Sequence, residues 1–271
     1  MSGLAAPLQK VRATFLRDAR LMMSYRLAFV LEFFAVVASV AGLWFVSKLV
    51  PPSAAFGGGH VATYFEYALV NVAFVTLQTA ALQSFENSIR NDQVFGTLEA
   101  VLATPTNVSL VVLAAGAWAF TLAFFQVGLT LAFGSLFGLN FNHVNLGALA
   151  AFVVLAITAT VPLGVISAAI IVRFKQGTPT QFILNRAATL LAGVLFPVSL
   201  LPLWLQACSW LLPITHALNG IRGAFHGATV GDMASDATWL AVATILLLPL
   251  SLLAFRSAVE RAKFDGTLGQ Y

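Results

Sequence analysis

The segment FENSIRNDQVFGTLEAVLATP, Phe85 to Pro105, is the least apolar stretch in the middle of a very apolar chain. It carries four charged side chains, Glu86, Arg90, Asp92 and Glu99, between two long runs that have almost none. Val94, Leu98, Val101 and Leu102 recur at helical spacing on one face, and Asn91 or Asp92 suits the cap of a short helix. Thr104 followed by Pro105 reads as N-cap and first position of the next helix. Gly96 costs up to about 1 kcal/mol inside a helix, so it marks a bend or a close approach. The segment is therefore expected to be a short polar connection, residues 86–105, between two helices that must be solvated by something other than water.

Composition supplies that solvent. Of 271 residues, 59% are hydrophobic and 9% are charged, with a mean hydropathy of +0.90. Soluble domains average about 25% charged residues. A chain this apolar is expected to be an integral membrane protein. Only helices satisfy their own backbone in hydrocarbon, and no segment alternates with the period of a barrel strand, so the fold expected is all-α. About 20 apolar residues cross the hydrocarbon core. Six transmembrane helices qualify, over 27–49, 64–85, 107–137, 146–172, 187–206 and 237–255. The first exceeds the roughly 7–15 residues of a signal-peptide core and is expected to be a retained span.

Basic residues orient the chain. With six spans both termini share a side, which carries Lys10, Arg12, Arg17, Arg20, Arg26, Arg90, Arg173, Lys175, Arg186, Arg256, Arg261 and Lys263; the other side has only Lys48 and Arg222. Both termini are expected in the cytoplasm. The formal charge of +4 does not point to nucleic acid. Within residues 1–26, Leu4, Leu8, Val11, Phe15, Ala19 and Met22 share a helical face opposite Lys10, Arg17 and Arg20, with Arg12 an exception near the apolar side, the pattern of an N-terminal amphipathic interfacial helix.

Residues 197–230 are too apolar for a solvated loop and too interrupted for one helix. Pro197, Pro202 and Pro213 each remove a backbone donor, and Trp204 and Trp210 suit a membrane interface. The fifth span is expected to end near Pro202 and to be followed by short re-entrant outer helices, a candidate gate or lid. Glu32 and Glu66 are acids within or at the ends of spans, and Asn71, Gln78, Gln83 and Gln126 are candidates for hydrogen bonds between helices. His60, His143, His216 and His226 are scattered and read as polar loop residues, and no Cys/His cluster has metal-ligand spacing; Cys208 is the single cysteine.

Taken in order, these parts resemble the membrane subunits of type-2 ATP-binding-cassette exporters, a group that includes bacterial drug, polysaccharide and nodulation-factor export permeases. The resemblance rests on the basic amphipathic start, on Arg90, Gly96, Thr97, Glu99, Thr104 and Pro105, and on the proline-broken segment with Pro213, Thr215 and Arg222. It implies a single transmembrane domain over 1–271, acting in the bacterial cytoplasmic membrane as one half of a permease dimer, with a homodimer expected. It also implies two copies of a separate cytoplasmic ATPase holding ATP and magnesium. This chain has no G-x-x-x-x-G-K-[ST] phosphate loop and so is not expected to be an enzyme or to hold a cofactor itself. Arg90, Asp92, Gly96, Thr97, Glu99, Thr104 and Pro105 are then the expected coupling residues. Pro197, Pro202, Trp204, Trp210, Pro213, Thr215 and Arg222 are the expected gate.

The spans at 107–137 and 146–172 contain no charge, which favours a hydrophobic or amphiphilic cargo such as a drug or lipid. The Pro-Ile-Thr-His sequence at 213–216 resembles the drug-export branch more than the polysaccharide branch. Two readings of other classes stand beside this one, an ion-coupled secondary transporter and a membrane anchor that transports nothing. The first would want mid-depth acids and an internal repeat, and no convincing repeat is present.

Overall fold

A computed structural model describes residues 15–16, 20, 26–51, 63–94, 108–174 and 189–264, and every regular element among them is helical. In chain order these are α1 (Arg26–Leu49), α2 (Tyr64–Val94), α3 (Val108–Leu136) and α4 (Leu146–Phe174). A 3-10 turn (Val198–Leu200) then leads to α5 (Leu203–Leu211), α6 (Pro213–Phe225) and α7 (Ala234–Phe264). Five stretches are long and apolar enough to cross a membrane: Val30–Leu49, Tyr64–Ser84, Ala117–Leu136, Leu146–Val172 and Ala234–Ala262. Leu27, Leu31, Phe34 and Leu49 on α1, and Ile245, Leu246 and Leu253 on α7, are more than half exposed, a surface suited to hydrocarbon.

The expected spans over 27–49, 107–137 and 146–172 coincide with α1, α3 and α4. Two others are only the apolar parts of longer helices. The segment 86–94 is helix continuous with α2, so Asn91 and Asp92 do not cap a separate helix as the sequence reading expected. Hydropathy sees where the apolar side chains stop; the backbone hydrogen bonds continue until something breaks them. The rest of the 86–105 connection, with Gly96, Thr97, Glu99, Thr104 and Pro105, lies outside the described residues, as does most of the 1–26 segment, of which Phe15, Leu16 and Arg20 are helical.

The expected fifth span over 187–206 is not one helix. Residues 189–191 are helical and the chain then turns. Gly193 has φ +69, a left-handed conformation that ends a helix at little cost only in glycine. The helical end thus falls at Leu191, well before Pro202, while residues 187 and 188 lie outside the described set.

The α4 helix sits centrally, packed along α2 and α7 and against α6, while α1 touches α2 and α3 at the periphery. Two separate clusters of buried apolar side chains result. The larger joins Phe65, Leu69, Phe74, Phe152, Ala156, Leu218, Ile221 and Leu240, at the end of the bundle where α4 and α7 begin. The smaller joins Val165, Ala168, Ala169 and Val172 of α4 to Phe255, Ala258, Val259 and Ala262 of α7. Small side chains let these two helices approach closely. Pro162 of α4 and Pro249 of α7 lie between the clusters in sequence, each roughly 23 Å from the start of its helix at 1.5 Å per residue.

Candidate functional site

The second short helix of the broken segment, α6, explains how this end of the bundle is organised. Pro213 occupies its first turn, where the missing N–H costs nothing and the fixed φ favours helix. Every residue from Pro213 to Phe225 except Asn219 is buried. The preceding α5 ends at Leu211, so its last carbonyls lack their ordinary helical donors, with only the Leu212 N–H reaching the Ser209 carbonyl at 3.1 Å. Two side chains of α6 supply them: Thr215 Oγ1 donates to the Ser209 carbonyl at 2.7 Å, and His216 Nε2 meets the Trp210 carbonyl at 2.8 Å. The Thr-His pair is thus the clasp that folds α6 back on α5. The turn before it is held from α2, where Tyr67 donates its hydroxyl to the Gly193 carbonyl and Asn71 Nδ2 donates to the Val194 carbonyl at 3.0 Å. On the other flank the Asn145 N–H donates to the Ala224 carbonyl at 2.9 Å, and the Asn145 side chain caps α4 by accepting from the Ala148 N–H.

The other ring nitrogen of His216, Nδ1, lies 2.6 Å from Asp236 Oδ1 in the first turn of α7. Both nitrogens face acceptors, so the doubly protonated ring satisfies both. Trp239 stacks on it at 4.7 Å between centroids, a further favourable contact for a cation. Burial acts to lower the His216 pKa, but the Asp236 hydrogen bond, the Trp210 carbonyl and the charge of Asp236 outweigh it, and the net shift is upward. A raised folded-state pKa contributes stability that is complete below the unfolded value near 6.5 and is lost as pH rises through the folded value. The difference in thermal midpoint between the purified wild-type chain and His216→Gln is therefore expected to be largest near pH 6 and to shrink toward pH 9. A difference that stays constant over that range would remove the charged pair.

Beside this pair opens a cleft of about 690 Å³, lined by Pro197, Val198, Trp210, Thr215, Asn219, Arg222, His226, Asp232, Met233 and Asp236 among others. Arg222 is buried, with 8% of its surface exposed. Its Nε donates to the Leu218 carbonyl at 3.1 Å and Nη2 donates to Asn219 Oδ1. The guanidinium carbon sits 4.9 Å from the centre of the Tyr67 ring. Among the described residues no carboxylate lies within 4.0 Å of this guanidinium. Burial pulls its pKa below the ordinary value, opposed by Tyr67 and Asp236, and an arginine so placed remains charged. At the rim Asp232 is exposed and accepts from the Thr229 N–H and hydroxyl, each at 2.8 Å, which hold its carboxyl below the usual range.

Of the expected gate residues, Pro197, Trp210, Thr215 and Arg222 line this cleft, and Pro213 starts the helix behind it. Pro202 caps α5 and Trp204 is 69% exposed on its outer surface, both away from the cleft lining. The two acids in spans have separate fates. Glu32 of α1 accepts a hydrogen bond from Gln126 Nε2 of α3, a tie between helices. Glu66 is in the first turn of α2, whose N–H is capped by Thr63 Oγ1, and its carboxylate is 4.0 Å from His226 Nε2. Arg90 and Asp92 are on the last turns of α2, far along the same helix from Glu66, with Arg90 exposed. The sequence reading missed His216, Asp236 and Asn219 as site residues, and its assignment of His216 to a polar loop is corrected: the residue is buried in a helix. The available signal was a histidine inside a proline-started apolar segment with an aspartate at the head of the next apolar run.

A family model described as ABC-2 type transporter matches residues 12–226, and the chain belongs to that family. No curated protein matches the chain. The expected resemblance is thereby established, and with it a multi-pass membrane protein of the permease kind.

Proposed function

We propose that this member of the ABC-2 type transporter family is the permease half of an ATP-driven exporter, moving a hydrophobic or amphiphilic cargo outward across a bacterial cytoplasmic membrane. A separate ATPase, two copies per dimer of permease chains, supplies the work and holds ATP and magnesium. The carrying observation is the family match from residue 12 to 226, which takes in most of the basic start, the 86–105 connection and the cleft lining as far as His226. With both termini cytoplasmic, the connection faces the ATPase and the cleft faces outward, as the distribution of basic residues favours.

The α2 helix gives this reading a mechanical form. It is one continuous helix of 31 residues, about 46 Å at 1.5 Å per residue. Arg90 and Asp92 are near one end, and Tyr67 and Asn71 hold the turn behind the cleft near the other. A displacement imposed by the ATPase at the Arg90 end reaches the cleft through a rigid strut. Arg90, Asp92 and Glu99 are the residues proposed to meet the ATPase, with Gly96, Thr97, Thr104 and Pro105 shaping the connection. The uncharged α3 and the uncharged length of α4 up to Arg173 favour an apolar passage.

Proteoliposomes containing the permease, with and without the ATPase chain and ATP, test the reading. Accumulation of a lipophilic dye is expected only with both present. Arg90→Ala and Glu99→Ala are each expected to lower coupled ATPase rate by about fivefold or more, on the scale of one lost charge-assisted contact. Transport driven by an ion gradient without ATP would replace this reading with a secondary transporter, and a stable complex that moves nothing would replace it with an anchor.

A further inference from the structure

The cleft combines two features that one class of ligand needs together. Its floor holds a buried cation with no carboxylate within 4.0 Å among the described residues, and its walls include apolar Pro197, Val198 and Met233 with Trp210 at 48% exposure. The nearby carboxylates are already engaged: Asp236 by His216, and Asp232 by Thr229. Arg222 by contrast meets neutral oxygens, donating to the Leu218 carbonyl and Asn219 Oδ1 with the Tyr67 hydroxyl also within reach. A guanidinium has five N–H donors in a planar fork, so donors and charge remain for a ligand. His226 turns its Nδ1 to the Arg222 carbonyl at 2.8 Å, which makes Nδ1 the donor, and its Nε2 lies 4.0 Å from the Glu66 carboxylate.

We propose that this cleft binds the anionic headgroup of an amphiphile, a phosphate or carboxylate set against Arg222, with the hydrocarbon portion lying over Trp210 and the exposed apolar face of α5. The planar fork matches two oxygens of such a headgroup at once. Outside the cleft, Trp204 and Leu211 of α5 are 69% and 72% exposed, a continuous apolar shelf for a chain that leaves the cleft through the Trp210 side. A quaternary ammonium headgroup would meet Arg222 as a like charge, and a neutral sugar would leave the guanidinium uncompensated. As a statement about cargo, this assignment rests on the exporter reading; as a statement about binding, it concerns this chain alone.

The test measures binding to the full purified chain in a neutral maltoside detergent, without ATPase or ATP, by microscale thermophoresis. The probes are dodecyl phosphate, dodecyltrimethylammonium and inorganic phosphate. Dodecyl phosphate is expected to bind saturably, Arg222→Gln to weaken it about tenfold or more, and Arg222→Lys to weaken it less, since charge remains without the fork. Asp232→Lys, an exposed change at the rim, is expected to tighten it about threefold by removing repulsion and adding attraction. Equal binding of dodecyltrimethylammonium, or unchanged affinity in both Arg222→Gln and Asp232→Lys, overturns the site. Inorganic phosphate binding as tightly as dodecyl phosphate overturns the amphiphile in favour of a free anion. If Arg222→Gln does not fold, the Asp232→Lys comparison decides alone. Loss of ATP-driven transport with binding intact would fell the exporter reading and leave the site standing.

Discussion

Asp236→Ala is expected to lower the thermal midpoint of the purified chain by roughly 6–20 °C, the equivalent of about 3–5 kcal/mol in a protein of this size. The magnitude comes from what is left behind. His216 is 7% exposed and bonded on its far side to the Trp210 carbonyl. Without Asp236, either a buried imidazolium loses its counter-charge or the ring deprotonates and abandons one hydrogen bond. Asp236→Asn keeps an acceptor near Nδ1 and is expected to cost less. His216→Leu alone leaves the Asp236 carboxylate without its cation, and the double variant His216→Leu/Asp236→Leu is expected to be more stable than the sum of the singles by about 1–3 kcal/mol. Additive costs would show that the two groups do not act as a pair.

The second large effect concerns backbone proximity. Gly220 of α6 lies against the ring of Phe152, a fully buried residue of α4, and a Cβ built on it would overlap that ring. Phe152 sits in the larger cluster and has nowhere to retreat. Gly220→Ala is therefore expected to destabilise by about 1–3 kcal/mol through overpacking and to disturb the cleft, because Asn219 and Arg222 are on the same turn of helix. Pairing it with Phe152→Leu is expected to restore part of the loss, since the smaller side chain makes room. Dodecyl phosphate binding in the single and double variants reports on the cleft separately from the melting temperature.

Much of this architecture is legible in the chain itself, for reasons of periodicity and solvent. The uncharged runs of α3 and α4 have one physical solution, and their ends agree with the structure closely. The end of α2 was not legible, because residues 86–94 look like a loop by polarity while nothing in them stops a helix. Pro197 and Pro202 drew attention as helix breakers, yet the break occurs at Gly193, whose left-handed φ is a property of the fold rather than of its neighbours in sequence. Arg222 was reached through the family resemblance, as the arginine downstream of Pro213 and Thr215. His216 was not, because its role depends on Asp236 twenty residues away and on a carbonyl that only folding leaves unpaired.

The two prolines, each about halfway along its helix, carry a consequence for how the bundle deforms. Pro162 lacks the N–H that would bond the Thr158 carbonyl, and Pro249 lacks the one for Ile245. Each helix is therefore softest at that level, and the two helices packed most closely along each other soften together. Above that level one apolar cluster binds α4 to α2 and α6; below it another binds α4 to α7 alone. The halves of α4 and α7 beyond the prolines are thus tied to each other as a pair, and the proline level is where each helix yields most easily relative to the half held by α2 and α6.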